Sequence, residues 1–173
     1  MNLDLALGIS CVNLSSLAFG CVSGLLAYPA SGVLVVYSPK LNCQVAYLHV
    51  RRNSVSCANF SPDGRYVLTG EVGYKPALRV WRLQDGQEVA TIYGHEFGIK
   101  SAMFSPRGDV IVSVGLENDN EVNVWAWPDK HRVATNKIKD LIYSVSFSQC
   151  GQYFLTAGVR HLKFWYPKLP PVT

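Results

Sequence analysis

The chain has 173 residues, of which 49% are hydrophobic and 16% charged, a composition typical of a globular domain and not of a disordered segment. The net charge is only +4 and no run of Lys or Arg is longer than Arg51-Arg52, so we expect no nucleic-acid partner. The apolar first thirty residues have no Lys or Arg before Lys40 and are interrupted by Asp4 and Asn13, so we expect neither a signal peptide nor a membrane association.

The cysteines and histidines show no metal-ligand spacing. Five cysteines, an odd number, include no Cys-x-x-Cys pair, and the four histidines are scattered, so we expect no metal site and no cofactor. Most of the thiols lie in apolar, strand-like runs, which predicts reduced, buried cysteines in a cytoplasmic protein. The five are Cys11, Cys21, Cys43, Cys57 and Cys150.

One phrase occurs three times along the chain. It reads "FSPDGRYVLTG" from Phe60, "FSPRGDVIVSVG" from Phe104 and "FSQCGQYFLTAG" from Phe147, in steps of 44 and 43 residues. Tryptophans follow in steps of 44 and 40, at Trp81, Trp125 and Trp165. A period of about 40–45 residues is typical of four-stranded propeller blades.

In chain order, apolar and β-branched runs bounded by turn residues predict four strands in each of the first three periods. Blade one, about residues 9–52, has strands at 17–20, 25–28, 33–37 and 44–50. Blade two, 53–95, has strands at 54–60, 66–70, 77–82 and 88–93. Blade three, 96–139, has strands at 98–105, 110–115, 121–127 and 132–138.

The fourth blade, 140–166, is predicted to be incomplete. Its strands are 142–147, 153–157 and 162–165, and the proline-rich tail 167–173 offers no outer strand. We therefore expect a single all-β domain over residues 1–173, with about four propeller blades in an open arc or partial propeller. Open end blades predict an arc that is stabilised either by the rest of a longer parent chain or by self-association with another copy, and the segment 3–10 is a candidate for the missing outer strand.

The residues also resemble a known family. Gly94-His95, the "FSPDG" turn and a tryptophan near the end of the third strand resemble the WD-repeat family, although the usual Asp after Trp is absent. "LAYPASGVLVVYSP", "IVSVGLENDNEVNVWAW" and "YFLTAGVRHLKFWY" are similar to the mitogen-activated protein kinase-binding WD-repeat family, which includes the microcephaly-associated spindle-pole scaffold. The resemblance implies a non-catalytic scaffold with protein partners in the c-Jun N-terminal kinase pathway or the mitotic spindle, located in the cytoplasm at the spindle pole, centrosome or cytoskeleton.

A second resemblance leaves an alternative open. "TGEVGYKPALRVWRL" is also similar to the echinoderm microtubule-associated protein-like family and to a ciliary WD-repeat protein. That resemblance implies a microtubule-binding module.

His95, Ser113 and Asp119 are the residue types of a hydrolase triad, but no GxSxG elbow accompanies Ser113. The WD-repeat resemblance implies instead that these residues and Trp125 form a buried structural tetrad, with hydrogen bonds running from Trp to Ser to His to Asp. We therefore expect no catalytic residues and no enzymatic activity. Blades two and four carry only part of the set, so we expect them to be held more loosely, or by packing alone.

In this topology, two kinds of loop fall on one face: those that lead into each inner strand and those that join the second strand to the third. Loops carry function more often than strands do, and Tyr, Phe and Arg are favoured in interfaces. We call the predicted protein-binding residues on this face the rim surface. It comprises Arg51, Arg52, Tyr74, Lys75, Glu96, Phe97, Glu117, Asn118, Lys139 and Arg160.

Overall fold

A computed structural model describes residues 8–10, 14–50 and 52–167. A short 3-10 helix, Leu14–Ser16, precedes the first sheet. That sheet contains β1 (Ala18–Phe19), β2 (Leu26–Ala30), β3 (Val33–Ser38) and β4 (Cys43–His49). The second sheet contains β5 (Ser54–Phe60), β6 (Tyr66–Val72), β7 (Ala77–Arg82) and β8 (Glu88–Tyr93).

The third sheet contains β9 (Ile99–Phe104), β10 (Val110–Gly115), β11 (Glu121–Ala126) and β12 (His131–Lys137). Among the described residues, the fourth sheet has three strands, β13 (Ile142–Phe147), β14 (Phe154–Gly158) and β15 (His161–Trp165). In every sheet each strand pairs antiparallel with the next one along the chain. The prediction of an all-β partial propeller with an incomplete last blade is confirmed, and each predicted strand lies within two residues of its expected bounds.

The repeated phrase forms the turn between the first two strands of a blade. The Ser61 hydroxyl accepts a hydrogen bond from the Tyr66 N–H at 2.9 Å, and Gly64 has a φ of 71°, which favours glycine. The same serine bond recurs at Ser105 to Val110 (3.2 Å) and at Ser148 to Tyr153 (3.3 Å). The stretch therefore recurs because blades two, three and four use the same tight turn.

Successive sheets stack through two different faces. We call the face that carries the tryptophan the tryptophan face and the opposite face the aliphatic face. Trp81 of blade two shares a core with Leu34 of blade one, and Trp125 of blade three shares a core with Leu68 of blade two. Each tryptophan face thus packs on the aliphatic face of the preceding blade.

Near the centre of the arc, the 3-10 helix ties the inner strands together. The Ser16 hydroxyl donates to the Ser56 carbonyl at 3.0 Å, and the Ser15 hydroxyl donates to the Ser101 hydroxyl at 3.0 Å. The Ser56 hydroxyl in turn donates to the Ile99 carbonyl at 2.5 Å. Blades one, two and three are therefore linked on their inner side by hydrogen bonds as well as by packing.

One expectation needs correction, and a second lies mostly outside the described residues. Cys57 is buried, but Cys21, Cys43 and Cys150 are exposed because they lie in turns or at the start of an outer strand; Cys11 lies outside the described residues. Of the segment 3–10, residues 3–7 lie outside the described residues. The Ser10 N–H donates to the Pro29 carbonyl at 2.8 Å, so the described end of that segment lies against β2 and not against β15.

The described ranges contain no helix of the length and apolarity needed to cross a membrane.

Candidate functional site

The third blade contains a buried hydrogen-bonded network. The Trp125 indole N–H donates to the Ser113 hydroxyl oxygen at 2.9 Å, and that oxygen lies 2.8 Å from His95 Nε2. Because the hydroxyl oxygen accepts from the indole, its proton is available for Nε2. Ser113 has no solvent exposure, and His95 is 6% exposed.

Two glycines make room for this network. A Cβ on Gly94 would lie 2.5 Å from a ring atom of Trp125, and a Cβ on Gly115 would lie 2.8 Å from His95 Nδ1. Both distances are too short for non-bonded atoms, so a side chain at either position would displace the indole or the imidazole. The glycines are therefore required by close approach.

Asp119 does not complete the predicted series of hydrogen bonds from Trp125 through Ser113 and His95. Its Oδ2 lies 3.7 Å from His95 Nδ1, beyond hydrogen-bond distance. The Asp119 carboxylate instead accepts backbone N–H groups of the preceding loop, from Glu96 at 2.9 Å, Phe97 at 3.2 Å and Gly98 at 3.2 Å. The hydrogen-bonded chain therefore ends at His95, while Asp119 fixes the loop that leads into β9.

Burial controls the protonation of His95. Loss of solvent lowers the pKa of His95 to about 4; the negative charge of Asp119 opposes this shift and the positive charge of Arg132 adds to it. The ring is therefore neutral at pH 7. Its Nδ1 has no hydrogen-bond partner among the residues that the structure describes.

The fourth blade has a hydrogen-bonded network of its own, so the expectation that it is held by packing alone is wrong. The Trp165 indole donates to Thr156 Oγ1 at 2.9 Å, Thr156 Oγ1 lies 2.7 Å from His161 Nε2, and His161 Nδ1 lies 3.0 Å from Asp140 Oδ2. The histidine comes from the start of the third strand and the aspartate from the loop before the inner strand, the reverse of their places in blade three. The sequence prediction looked for a histidine in the loop before the inner strand, so it missed His161 on the third strand.

Blade two replaces the histidine by an ion pair. The Trp81 indole donates to Thr69 Oγ1 at 2.9 Å, as in the other two blades. Two residues after Thr69, where blade three has a glycine, stands the buried Glu71, whose carboxylate accepts from Arg79 Nε at 2.5 Å and from Asn53 Nδ2 at 2.7 Å. The expectation that this blade is held by packing alone is therefore wrong.

The charge of Arg79 is stabilised within this network. Burial lowers the pKa of Arg79, but its hydrogen bonds and charge interactions with Glu71 and Glu88 outweigh that effect and raise it. Arg79 Nη1 lies 2.8 Å from Glu88 Oε2, so the guanidinium joins a buried carboxylate to a partly exposed one.

Blade one carries tyrosines in place of the tryptophan and its partner. Tyr37 pairs with Leu26 as Trp81 pairs with Val67, and two residues after Leu26 stands Tyr28. The Tyr37 hydroxyl donates to Asn42 Oδ1 at 2.5 Å, and Gln44 Nε2 donates to the Tyr28 hydroxyl at 2.8 Å. The polar groups of this face are thus bonded within their own sheet.

The rim surface divides between two clefts. Four of its members (Arg52, Tyr74, Lys75 and Glu96) line a cleft of about 1210 Å³ along blade two. Glu117 and Lys139 line a smaller cleft of about 270 Å³ between blades three and four. Phe97, Asn118 and Arg160 lie outside both linings, and Arg51 lies outside the described residues.

The larger cleft also contains residues that sequence reasoning missed. Tyr93 and Thr91 of β8 line it together with the Glu71–Arg79 pair. Lys75 Nζ lies 5.4 Å from the centre of the Tyr74 ring, which is 77% exposed. The sequence did contain a signal for this part of the cleft, because the outward-facing positions of β8 are polar or aromatic.

Comparison with known proteins matches the WD domain, G-beta repeat, at residues 42–82 and 86–126. Each matched stretch begins in or just before the outer strand of one blade and ends with the third strand of the next. The chain is 40% identical over 166 residues to "WD repeat-containing protein 62" of Sus scrofa and 43% identical over 166 residues to "Mitogen-activated protein kinase-binding protein 1" of Homo sapiens. Both alignments cover 96% of this chain and 11% of the relative.

A more distant relative is "Cilia- and flagella-associated protein 52" of Mus musculus, 29% identical over 153 residues. That alignment covers 84% of this chain and 24% of the relative.

Proposed function

Since this chain carries WD40 repeats and is similar over 96% of its length to WD repeat-containing protein 62 and mitogen-activated protein kinase-binding protein 1, we propose that it is a non-catalytic protein–protein interaction scaffold. The observation that carries the proposal is the cleft of about 1210 Å³ along blade two, into which rim-surface residues project. A groove with exposed aromatic and charged side chains on a rigid sheet suits recognition of a protein segment.

The composition of the cleft supports a peptide-like ligand. Tyr74 and Tyr93 offer large exposed rings, which contribute strongly to interfaces. Arg52 and Lys75 supply positive charge and Glu96 negative charge, so the cleft presents both signs. The Glu71–Arg79 pair beneath them is held by hydrogen bonds on several sides, which keeps the base of the cleft in one geometry.

The buried networks support a non-catalytic role. The Ser113 oxygen is fully buried, and its hydrogen bonds are used by Trp125 and His95. A nucleophile must reach its substrate, and this hydroxyl is not accessible to one. We therefore assign His95, Ser113, Asp119 and Trp125 a structural role.

The names of the relatives guide the choice of partner. One relative is named for binding a mitogen-activated protein kinase. We infer a partner from the c-Jun N-terminal kinase pathway or from the mitotic spindle, with a location in the cytoplasm at the spindle pole, the centrosome or the cytoskeleton.

A binding measurement tests the scaffold role. We expect purified c-Jun N-terminal kinase to bind the chain, and we expect Arg52→Ala and Tyr74→Ala, which alter the lining of the cleft, to weaken binding at least several-fold while leaving the circular dichroism spectrum unchanged. Val22→Ala is the matched control, because Val22 is an exposed apolar residue on the β1–β2 turn, at the opposite end of the blade. Equal affinity for wild type and both rim variants would contradict the rim surface as the binding site.

The similarity to the cilia- and flagella-associated protein favours one alternative, a microtubule-binding module. Co-sedimentation with stabilised microtubules at low and at physiological salt distinguishes the two. Binding to microtubules that survives physiological salt and is lost in the rim variants would replace the kinase-scaffold proposal.

A further inference from the structure

The large cleft follows from a difference in turn length between two neighbouring blades. Blade one joins β2 to β3 through the two residues 31–32, whereas blade two joins β6 to β7 through the four residues 73–76. Blade one covers Trp81 at the far end of the tryptophan face of blade two, but the described residues of its sheet contribute nothing to the lining of the cleft. The rim end of that face, which carries Glu71 and Arg79, is therefore open.

One guanidinium in this opening is held in a fixed orientation. Arg79 Nε donates to Glu71 Oε1 at 2.5 Å, and Arg79 Nη1 donates to Glu88 Oε2 at 2.8 Å. Glu71 is only 1% exposed, and its other oxygen accepts from Asn53 Nδ2 at 2.7 Å and from the Ala77 N–H at 3.3 Å. The direction of the Arg79 side chain is therefore set by the protein and not by a ligand.

The remaining nitrogen of that guanidinium has no protein partner. Arg79 Nη2 donates to none of the residues that the structure describes, and it is not enclosed by them. Arg79 lines the cleft, and its side chain is 14% exposed. A partner that covers the cleft removes water from these N–H groups, and a buried donor without an acceptor costs binding free energy. A partner that binds there must therefore bring an acceptor for Nη2.

The charges around Arg79 decide which acceptor is suitable. Glu71 and Glu88 both bond to Arg79, so two carboxylates already face one guanidinium. A carboxylate or phosphate from a partner would be added beside these two negative charges, and like charges at close range repel. The described lining as a whole is balanced, with three cationic side chains and three carboxylates: Arg52, Lys75, Arg79, Glu71, Glu88 and Glu96. A neutral acceptor is therefore favoured over an acidic one.

We propose that Arg79 Nη2 binds a main-chain carbonyl of an extended peptide segment of low net charge. This inference rests on the proposed scaffold function and names the class of ligand that its cleft takes. A main-chain carbonyl is neutral, and in an extended segment it is free to accept, whereas in a helix it is bonded within the helix. Tyr74 and Tyr93, 77% and 62% exposed, offer rings against which the side chains of the segment pack.

A displayed library of random short peptides, selected on the wild-type chain, supplies the probe. The selected peptides are synthesised, and fluorescence polarisation measures their affinities. We expect Arg79→Lys to weaken binding about ten-fold, because lysine keeps the positive charge beside Glu71 but lacks Nη2. Arg82→Lys is the matched control, since it makes the same change on the same strand at a residue that pairs with Asp85 outside the lining of the cleft. Its affinity should equal that of the wild type.

A second variant serves if Arg79→Lys does not fold. Glu71→Gly combined with Arg79→Asn places in blade two the residues that blade three has at the same register, Gly115 and Asn123. This pair removes Nη2 together with the buried carboxylate, so no charge is left unpaired inside the sheet. Circular dichroism establishes that the variant is folded, and we expect the same loss of affinity of about ten-fold.

Ester substitution identifies the atom that Arg79 binds. Replacing one peptide bond of the ligand by an ester weakens that carbonyl as an acceptor without changing a side chain. We expect one ester position to lower the affinity for the wild type several-fold and to leave the affinity for Arg79→Lys unchanged.

Four results would overturn the inference. They are a library that yields no ligand, peptides that bind the wild type and Arg79→Lys equally, a selected acidic residue that accounts for the dependence on Arg79, and a dependence on Arg79 with no sensitive ester position. The binding of c-Jun N-terminal kinase is measured separately, so failure of the scaffold proposal can be told from failure of this inference.

Discussion

His95 combines deep burial with a polar ring in a fixed orientation. Its Nε2 faces the Ser113 hydroxyl at 2.8 Å and the Asn123 amide nitrogen at 3.3 Å, so this nitrogen is surrounded by donors and acts as the acceptor. The ring is therefore neutral with its proton on Nδ1. The network joins β10 and β11 to the loop before β9.

Removal of this ring should destabilise the protein. His95→Ala leaves the buried Ser113 and Asn123 groups without their acceptor, which should lower the free energy of unfolding by about 1–3 kcal/mol. Urea denaturation of wild type and variant measures the difference. An unchanged midpoint would show that the network does not contribute to stability.

The lowered pKa of His95 also predicts a pH dependence. The unfolded chain binds the proton with a pKa of 6.5 and the folded chain with a pKa of about 4, so stability that is complete above pH 6.5 is lost as the pH falls towards 4. The loss attributable to His95 is on the order of 3 kcal/mol. Because carboxylates titrate in the same range, the measured quantity is the difference between wild type and His95→Gln. Parallel stability curves for the two would contradict the assignment.

At the scale of the element, blades two, three and four place the same tryptophan in different surroundings. An indole N–H must find an acceptor inside the sheet, and Thr69, Ser113 and Thr156 provide it. The polar groups next to that acceptor differ between the blades. Blade two has a Glu–Arg pair, blade three has a histidine from the loop before the inner strand, and blade four has a histidine from the third strand. The position of the indole is the constant feature of blades two, three and four, so its loss should destabilise each of them.

A cavity at the indole should therefore be costly. Trp81→Ala removes a nearly buried ring that packs between blades one and two, and we expect a loss of about 3–5 kcal/mol. Thermal unfolding followed by circular dichroism measures it. Val22→Ala, at an exposed turn, serves as a control and should leave the melting temperature unchanged.

The fourth blade gives a separate test of its own network. His161→Ala removes the partner of Thr156 Oγ1 and of the Asp140 carboxylate, which should cost about 1–2 kcal/mol because Asp140 retains access to water. Lys163→Ala, an exposed neighbour on the same strand, is the control. Equal stability of the two variants would mean that His161 has no structural role.

The strands were predictable from the sequence because turn chemistry and β-branched runs are local signals. The network of blade four was not, because His161 and Asp140 exchange the positions that histidine and aspartate hold in blade three. One signal was present: Gly115 and Gly158 both stand two residues after the hydroxyl acceptor, where a side chain would displace the imidazole or the chain beside it, whereas Glu71 stands there in blade two. The clefts depend on how loops from neighbouring blades meet, which no local pattern encodes.

At the scale of the whole molecule, burial is distributed unevenly along the arc. All six residues of β10 are buried, with β9 and β11 on either side. β15 has no strand on its outer edge among the described residues, and three of its five residues are exposed. Local stability should therefore fall from the middle of the arc towards the last blade.

Hydrogen exchange should show this gradient directly. We expect the amides of β10 to exchange most slowly and those of β15 at least a hundred-fold faster, because half of the β15 N–H groups have no strand to pair with. Protection of β15 equal to that of β10 would indicate a further strand at that edge.

The directional stacking of the blades also affects synthesis on the ribosome. Since each tryptophan face packs on the blade made before it, every new blade is folded onto a surface that already exists. At translation rates of about 5–20 residues per second, the roughly 44 residues of a blade take on the order of 2–9 seconds. During that interval the newest aliphatic face is always the one left uncovered. The nascent chain therefore exposes an apolar face on its most recently folded blade, and the exposed face moves forward with each repeat. A chaperone would be needed at that face.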